Sequence, residues 1–394
     1  MRVVFLQYGG DYREAVQRIK STGQTTYYAQ KHSIDVVAAL VGRCELVAVI
    51  CVLTSEPYDE ILESGVRAIG AGMSSSVDQN KLVRLIAELN PDHLILRTPL
   101  RGPVKWAVSR GIRTVASLAD SFSEGNLRNQ FRNYTLARLL NRKEINWVFN
   151  HGLNSCVSLK RIGVSPEKII PWDWPAEVEP DEQPRMLREP GPRTLLYVGY
   201  ISEAKGVGDI LHAMAALSPK FGEVTLQVAG GGDISQFTGM AERLRISHRV
   251  GFLGLISHDA ILKAMREADA VIVPSRHECP EGFPMTIYET LCSRTPLIAS
   301  DHPMFRGNLT DGEDSLIFSA GNSEVLARRI EQAFSDPELY HRLSAGSAAA
   351  WKRLQLPVKW EDTVVRWLFD SPENRKWFAQ HRLSSGIYPL ERYR

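Results

Sequence analysis

The stretch AVIVPSRHECPEGFPMTIYETLC, Ala270 to Cys292, passes from an unbroken apolar run through a loop bearing carboxylates into a helix opened by Pro284. The run from Ala270 to Val273 is short and stops at Pro274, as a buried strand does. Pro284 suits a helix start, because the first turn needs no backbone donor there. The N–H groups of Gly282, Phe283, Met285 and Thr286 then surround a helix N-terminus. Unpaired donors and the helix macrodipole favour a phosphate at such a place. Glu281 and Glu289 flank that position, so the layout is that of a ligand site.

Outward from it, short β-branched runs alternate with helical patterns. Downstream of a connector they fall near 194–199, 223–229, 249–253, 269–274, 295–299 and 314–318; upstream they fall near 2–7, 46–53, 92–96, 112–118 and 145–149. Such alternation predicts α/β architecture, with a parallel sheet covered on both faces, in each half. Pro171, Pro175, Pro180, Pro184, Pro190 and Pro192 interrupt the pattern, as expected of a surface connector. The expected division is 1–171 for an N-terminal Rossmann-like domain, 172–193 for a linker and 194–350 for a second Rossmann-like domain. Residues 351–394 are expected to form C-terminal helices that pack back on the first domain. Ligands of open α/β sheets bind beyond the carboxyl ends of the strands, so two such domains facing each other would enclose a cleft.

Composition narrows the class. A length of 394 residues exceeds one ordinary core, and 47 basic against 45 acidic side chains gives no general affinity for nucleic acid. Apolar runs such as Leu46 to Leu53 are too short to cross a bilayer. Met1 to Gly10 reads as a first strand, not a secretion signal. The five cysteines are odd in number and show no zinc-like spacing, which fits a reducing cytosol.

Glu281 and Glu289, eight positions apart in EGFPMTIYE, resemble the paired-glutamate signature of retaining glycosyltransferase family 4. The resemblance implies a GT-B fold in which the C-terminal domain binds a nucleotide sugar. It implies that Glu281 approaches the donor sugar and that Glu289 accepts hydrogen bonds from the ribose hydroxyls. A carboxylate suits either task as an acceptor. The bland alternative makes Glu289 a solvated helix residue and Glu281 a partner of the helix dipole. A second segment, LLYVGYISEAKGVGDIL from Leu195 to Leu211, resembles the family's Gly-Arg and Lys-Gly loop. Lys205 is expected to hold the diphosphate as a point charge, and Gly206 to let the backbone come close.

The sequence departs from the family at Tyr200, where an arginine commonly stands. Either another cation, with Arg276 a candidate, replaces it, or donor binding is weaker. Gly9 and Gly10 occupy the place of the family's glycine-rich turn; an ordinary turn is the competing reading. Gly230, in the run Gly230 to Asp233, and Leu253, in the run Val250 to Gly254, resemble the base-binding edge, against tight turns and a helix cap at Asp233. The family's histidine before an aspartate is here Ala119 before Asp120, leaving Asp120, Asn150 or His151 as candidates to contact sugar hydroxyls.

Ten basic residues between Arg97 and Lys143 face only Asp120 and Glu124, which suggests an anionic membrane surface or a phosphate-linked acceptor, against solvated helix faces. The resemblance implies sugar transfer with retention from a UDP- or GDP-linked donor to a glycan or lipid-linked acceptor, as in bacterial surface polysaccharide assembly. No cofactor or metal is expected, since Lys205 and helix-end amides would take the cation's place. The expected location is cytoplasmic, with peripheral attachment to the membrane's inner face. The alternatives are a sugar-nucleotide epimerase or phosphorylase on the same fold, or a silent homologue that binds nucleotide or glycan.

Overall fold

Val3 to Leu6, Val47 to Val52 and Leu94 to Leu96 are each at most 2% exposed. Burial on both faces is what parallel strands beneath helices require. The computed structural model describes residues 1–393 except 24, 26, 27, 75, 123, 124, 126, 190, 222, 280 and 281, and of Tyr28 the backbone only. It divides into two units, Met1–Pro175 with Leu356–Arg394, and Ala176–Gln355.

The first unit holds eight strands: β1 (Arg2–Gln7), β2 (Leu46–Leu53), β3 (Pro57–Ile61), β4 (Arg67–Met73), β5 (His93–Leu96), β6 (Arg113–Leu118), β7 (Ile145–His151) and β8 (Ile169–Trp172). They lie in the order β3-β4-β2-β1-β5-β6-β7-β8. All neighbours run parallel except β3 and β4. Val3 sits between Val47 of β2 and His93 of β5, so the strand order reverses beside β1. That reversal opens a crevice at the carboxyl ends of β1 and β5.

Three strands escape the sequence pattern. β3 and β4 form an antiparallel edge hairpin that the expected all-parallel sheet lacked, and four of the five residues of β3 are exposed. Its partner carries Gly70, where a Cβ would lie 2.4 Å from the Tyr58 ring, so the glycine that reads as a loop signal makes room for a cross-strand aromatic. β8 contains Pro171 and lies at the sheet edge, where a missing donor is tolerated.

The second unit has six strands, all parallel: β9 (Arg193–Val198), β10 (Val224–Ala229), β11 (Val250–Gly254), β12 (Ala270–Val273), β13 (Leu297–Ser300) and β14 (Ser315–Phe318). Their order is β11-β10-β9-β12-β13-β14, which places the reversal between β9 and β12. Residues 181 to 188 are bound into this unit: Asp181 pairs with Arg266, and Arg188 donates twice to Asp269 at 2.7 and 3.0 Å. Asp269 is 1% exposed and also receives the Thr194 amide at 2.8 Å. These polar anchors tie the proline-rich segment to the sheet.

The chain returns to the first unit after Gln355. Asp173 N–H donates to the Val358 carbonyl and Trp360 N–H to the Asp173 carbonyl, both at 3.0 Å. Trp360 opens the helix Trp360–Leu368, is fully buried, and donates its indole N–H to Ser117 Oγ at 3.0 Å. Trp367 donates likewise to Asn146 Oδ1 at 3.0 Å. Each indole buries a large apolar area and still satisfies its donor. Replacing Trp360 by Ala is expected to lower unfolding free energy by about 4 kcal/mol, as for a large ring removed from a core. Urea titration checks this, and a loss under about 1 kcal/mol would show the C-terminal segment is only loosely attached.

Candidate functional site

In the second unit the loop after β9 crosses close to the loop after β12. Gly206 has φ +76 and begins the helix Val207–Ala216; a Cβ there would lie 2.3 Å from the Pro274 carbonyl oxygen. Arg276 N–H donates to the Ala204 carbonyl at 2.9 Å, which locks the two loops together. Lys205 immediately precedes Gly206, half-exposed, with its amide directed at Ser202 Oγ at 3.4 Å. The sequence pattern thus brings the expected lysine and glycine to the reversal point of the sheet.

Arg276 stands beside them but is already engaged. Its guanidinium makes a forked pair with Asp209 at 2.6 and 2.8 Å and a further pair with Glu203 at 2.6 Å. The hydrogen bonds to Asp209 hold Arg276 more firmly protonated than usual. Asp209 is 3% exposed, so its charge is compensated from within the protein. Arg276 therefore braces the loop, and its charge is balanced before any ligand arrives. Tyr200, in the place of the family's arginine, is 65% exposed, and its carbonyl accepts from Tyr197 Oη at 2.8 Å.

The helix Met285–Cys292 follows the β12 loop with Pro284 as its N-cap and, among the described residues, no side-chain cap hydrogen bond. Thr286 Oγ1 donates to the Val198 carbonyl at 3.2 Å, anchoring the helix start to the end of β9. Phe283 is buried edge-to-face against Tyr288 and Phe305. Gly282 and Met285 are half-buried alongside. Glu281 lies outside the described residues. Glu289 is 7% exposed, and its Oε1 meets His258 Nε2 at 2.9 Å. The hydrogen bond to Glu289 outweighs burial and raises the His258 pKa.

Gly230 carries a different constraint from a ligand: a Cβ would lie 1.8 Å from the Gly199 carbonyl oxygen, because the strand-end loops of β9 and β10 are in backbone contact. Asp233 caps the helix Ile234–Arg243 by accepting from Gln236 N–H at 3.2 Å, the tight-turn and cap alternative. Leu253 is 41% exposed and Leu255 is 71% exposed, an apolar rim at the end of β11.

In the first unit, Gly9, Gly10 and Asp120 line one cavity of ≈ 260 Å³ with Gln7, Ser33 and Arg97, at the β1–β5 reversal. A Cβ on Gly9 or Gly10 would meet nothing within 4 Å, so neither glycine is required by close packing. Burial raises the Asp120 carboxyl to about 6. Asn150 clasps the Asp120 backbone at 2.9 and 3.2 Å, while His151 is 4% exposed and faces Asp173 at 3.1 Å. Both candidates beside Asp120 therefore serve the framework. Arg97 directs Nη1 at Ser33 Oγ at 3.0 Å and lies over the Trp360 ring at 5.0 Å.

The sequence reading places Arg97 only in the basic region and does not single out His258. Arg97 directly follows β5, and strand ends at a reversal point are where ligands meet an α/β sheet, so that signal was present. His258 had none, since its partner lies 31 residues further along.

Residues 179–349 match the family described as Glycosyl transferases group 1. The phosphatidyl-myo-inositol mannosyltransferase of Mycobacterium leprae is 32% identical over 167 residues, 42% of this chain and 44% of that protein. The chain spans under half the length of the curated relatives it matches. Across 96% of the chain, the fold is similar to that of sucrose-phosphate synthase from Thermosynechococcus elongatus, with TM-score 0.68, 17% identity and 99% of that chain covered. It is also similar to that of Anabaena Alr3699/HepE in complex with UDP-glucose, with TM-score 0.63, 17% identity, and 96% and 98% of the two chains covered. These likenesses identify a GT-B fold.

The two kinds of glycine separate by experiment. Gly230→Ala forces a methyl into a carbonyl and is expected to destabilise by about 3 kcal/mol or more. Gly9→Ala enters open space and is expected to stay within about 0.5 kcal/mol of the parent. Chemical unfolding of both variants checks the contrast; equal losses would contradict it.

Proposed function

We propose, from the premise that residues 179–349 form a domain of the glycosyl transferases group 1 family, that the chain transfers a sugar from a nucleoside diphosphate sugar to a glycan or lipid-linked acceptor with retention. The observation that carries the proposal is that two strand-end loops and a helix start lie at one sheet reversal, with a buried carboxylate one turn along that helix. These are the Lys205–Gly206 loop, the neighbouring loop from β12, a helix start with no side-chain cap among the described residues, and the buried carboxylate of Glu289.

Lys205 and the amides of Met285 and Thr286 would bind the diphosphate as its charge develops, as oriented donors do in electrostatic catalysis. Glu289 would accept from the ribose hydroxyls and Glu281 would approach the sugar. Exposed Leu253, Leu255 and Tyr200 offer apolar contact to a nucleobase. In the reaction the bond from the anomeric carbon to the phosphate oxygen breaks and a bond to the acceptor oxygen forms on the same face. The acceptor's hydroxyl proton passes to the departing diphosphate. Lysine and helix amides supply the positive potential, so no metal is required. In the first unit, Asp120 and Arg97 offer an acceptor and a cation to a hydroxylated ligand within the same cavity. The fold shared with a protein seen with UDP-glucose supports a UDP-linked donor, and a GDP-linked donor is the alternative.

A lipid-linked acceptor is supported by the helix Leu127–Leu140. Leu127, Phe131 and Tyr134 are 81%, 68% and 56% exposed and recur at helical spacing along one stripe. Arg128, Arg132 and Arg138 are exposed beside them, and Arg101 joins Arg128 and Arg132 around a groove at Phe131. Apolar side chains flanked by guanidinium groups suit the headgroup region of an anionic bilayer. No helix among the described residues is long and apolar enough to cross a membrane.

Lys205→Ala is expected to lower kcat/KM by about 100- to 1,000-fold, the effect of losing one transition-state donor. Nucleoside diphosphate release from UDP- and GDP-sugars measures it, with NMR of the product reporting the anomeric configuration. An isomerised donor without release, or an inverted product, would reject the assignment. The doubly substituted Phe131→Ser, Arg132→Glu chain is expected to lose sedimentation with vesicles containing phosphatidylglycerol. Equal pelleting of the parent with neutral and anionic vesicles would reject the membrane surface.

A further inference from the structure

His258 is the first residue of the helix His258–Glu267, directly after its N-cap Ser257. That is an unfavourable place for an imidazolium, because the positive end of a helix disfavours added positive charge. Yet the pKa of this imidazole is raised, with the hydrogen bond to Glu289 as the largest upward cause and the charges of Glu289, Glu177 and Asp259 adding to it. His258 is 9% exposed and Glu289 7%, so the pair is held away from bulk water. A buried carboxylate keeps several acceptor positions that need donors. Nε2 of His258 occupies Oε1 at 2.9 Å, whereas Oε2 makes no hydrogen bond among the described residues. Oε2 is not among the described atoms that are sealed from solvent without a partner.

We infer that His258 is a positioning residue: by gripping Oε1 of Glu289 it fixes that side chain and presents Oε2 to the ribose diol of the donor nucleotide. The inference rests on the donor-site reading given above and deepens it. It assigns the imidazole a task that a simple staple between two helices would not have. A staple supports every ligand of the site equally. A positioning residue matters only to a ligand that has hydroxyls for Glu289 to accept.

The test compares UDP and GDP with their 2′,3′-dideoxy counterparts by titration calorimetry on the full chain. The parent is expected to bind the better ribonucleotide at least about tenfold more tightly than its dideoxy form, the scale of a hydrogen bond to a charged acceptor. His258→Leu is expected to reduce that ratio to within about twofold while leaving the dideoxy affinity unchanged. His258→Gln, whose amide reaches the position of Nε2, is expected to keep most of the ratio. His258→Asn, with an amide too short to reach, is expected to lose it, so the comparison stands even if the leucine variant does not fold. A parent-like ratio in His258→Leu or His258→Asn overturns the positioning role alone. Failure of the parent to bind either nucleotide, or a parent-like ratio in Glu289→Ala, overturns the donor-site reading and the inference with it.

Discussion

Backbone contact between strand-end loops is the constraint on which the second unit's candidate site depends. The loops after β9, β10 and β12 approach so closely that a methyl group at Gly206 or Gly230 would fall within 2.3 Å of a facing carbonyl oxygen. Such approaches set the spacing of the loops through backbone atoms, and the Arg276 pair with Asp209 adds to them. Lys205 and the start of the helix Met285–Cys292 are carried on those loops, so their placement follows from backbone geometry. Preorganised donors of this kind need little rearrangement when charge develops.

Charge is distributed so that some groups brace and others remain for chemistry. Asp209 and Glu203 neutralise Arg276, which makes that arginine a strut between two loops. Glu289 has one oxygen held by His258. In the first unit Asp120 is desolvated inside a cavity with Arg97 near its own sheet reversal. Asp120 in the first unit and Arg276 in the second thus stand close to where the strand order reverses, the place where α/β sheets meet ligands.

Much of this was legible in the sequence for physical reasons. Strands buried on both faces are uniformly apolar, so β1, β2 and β12 announce themselves, and Pro284 marks a helix start within one residue. The edge hairpin was not legible, because β3 buries none of its residues and β4 carries Gly70 and Gly72 for packing against Tyr58 and Pro57. Pairings distant along the chain were also hidden. Arg276 looked like an available cation because Asp209, 67 residues away, shows no local sign of being its partner. Gly230 resembled a ligand contact because a clash with a neighbouring carbonyl and a clash with a nucleobase select the same residue. At Gly9 and Gly10, where an added methyl group would meet no protein atom within 4 Å, the open space is compatible with the expected ligand approach.

The most direct measurement is a crystal structure of the chain soaked with UDP or GDP. The account predicts the diphosphate against Lys205 and the amides of Met285 and Thr286, with a ribose hydroxyl on Oε2 of Glu289. A nucleotide bound elsewhere in the second unit, with Oε2 of Glu289 left to solvent, would contradict it.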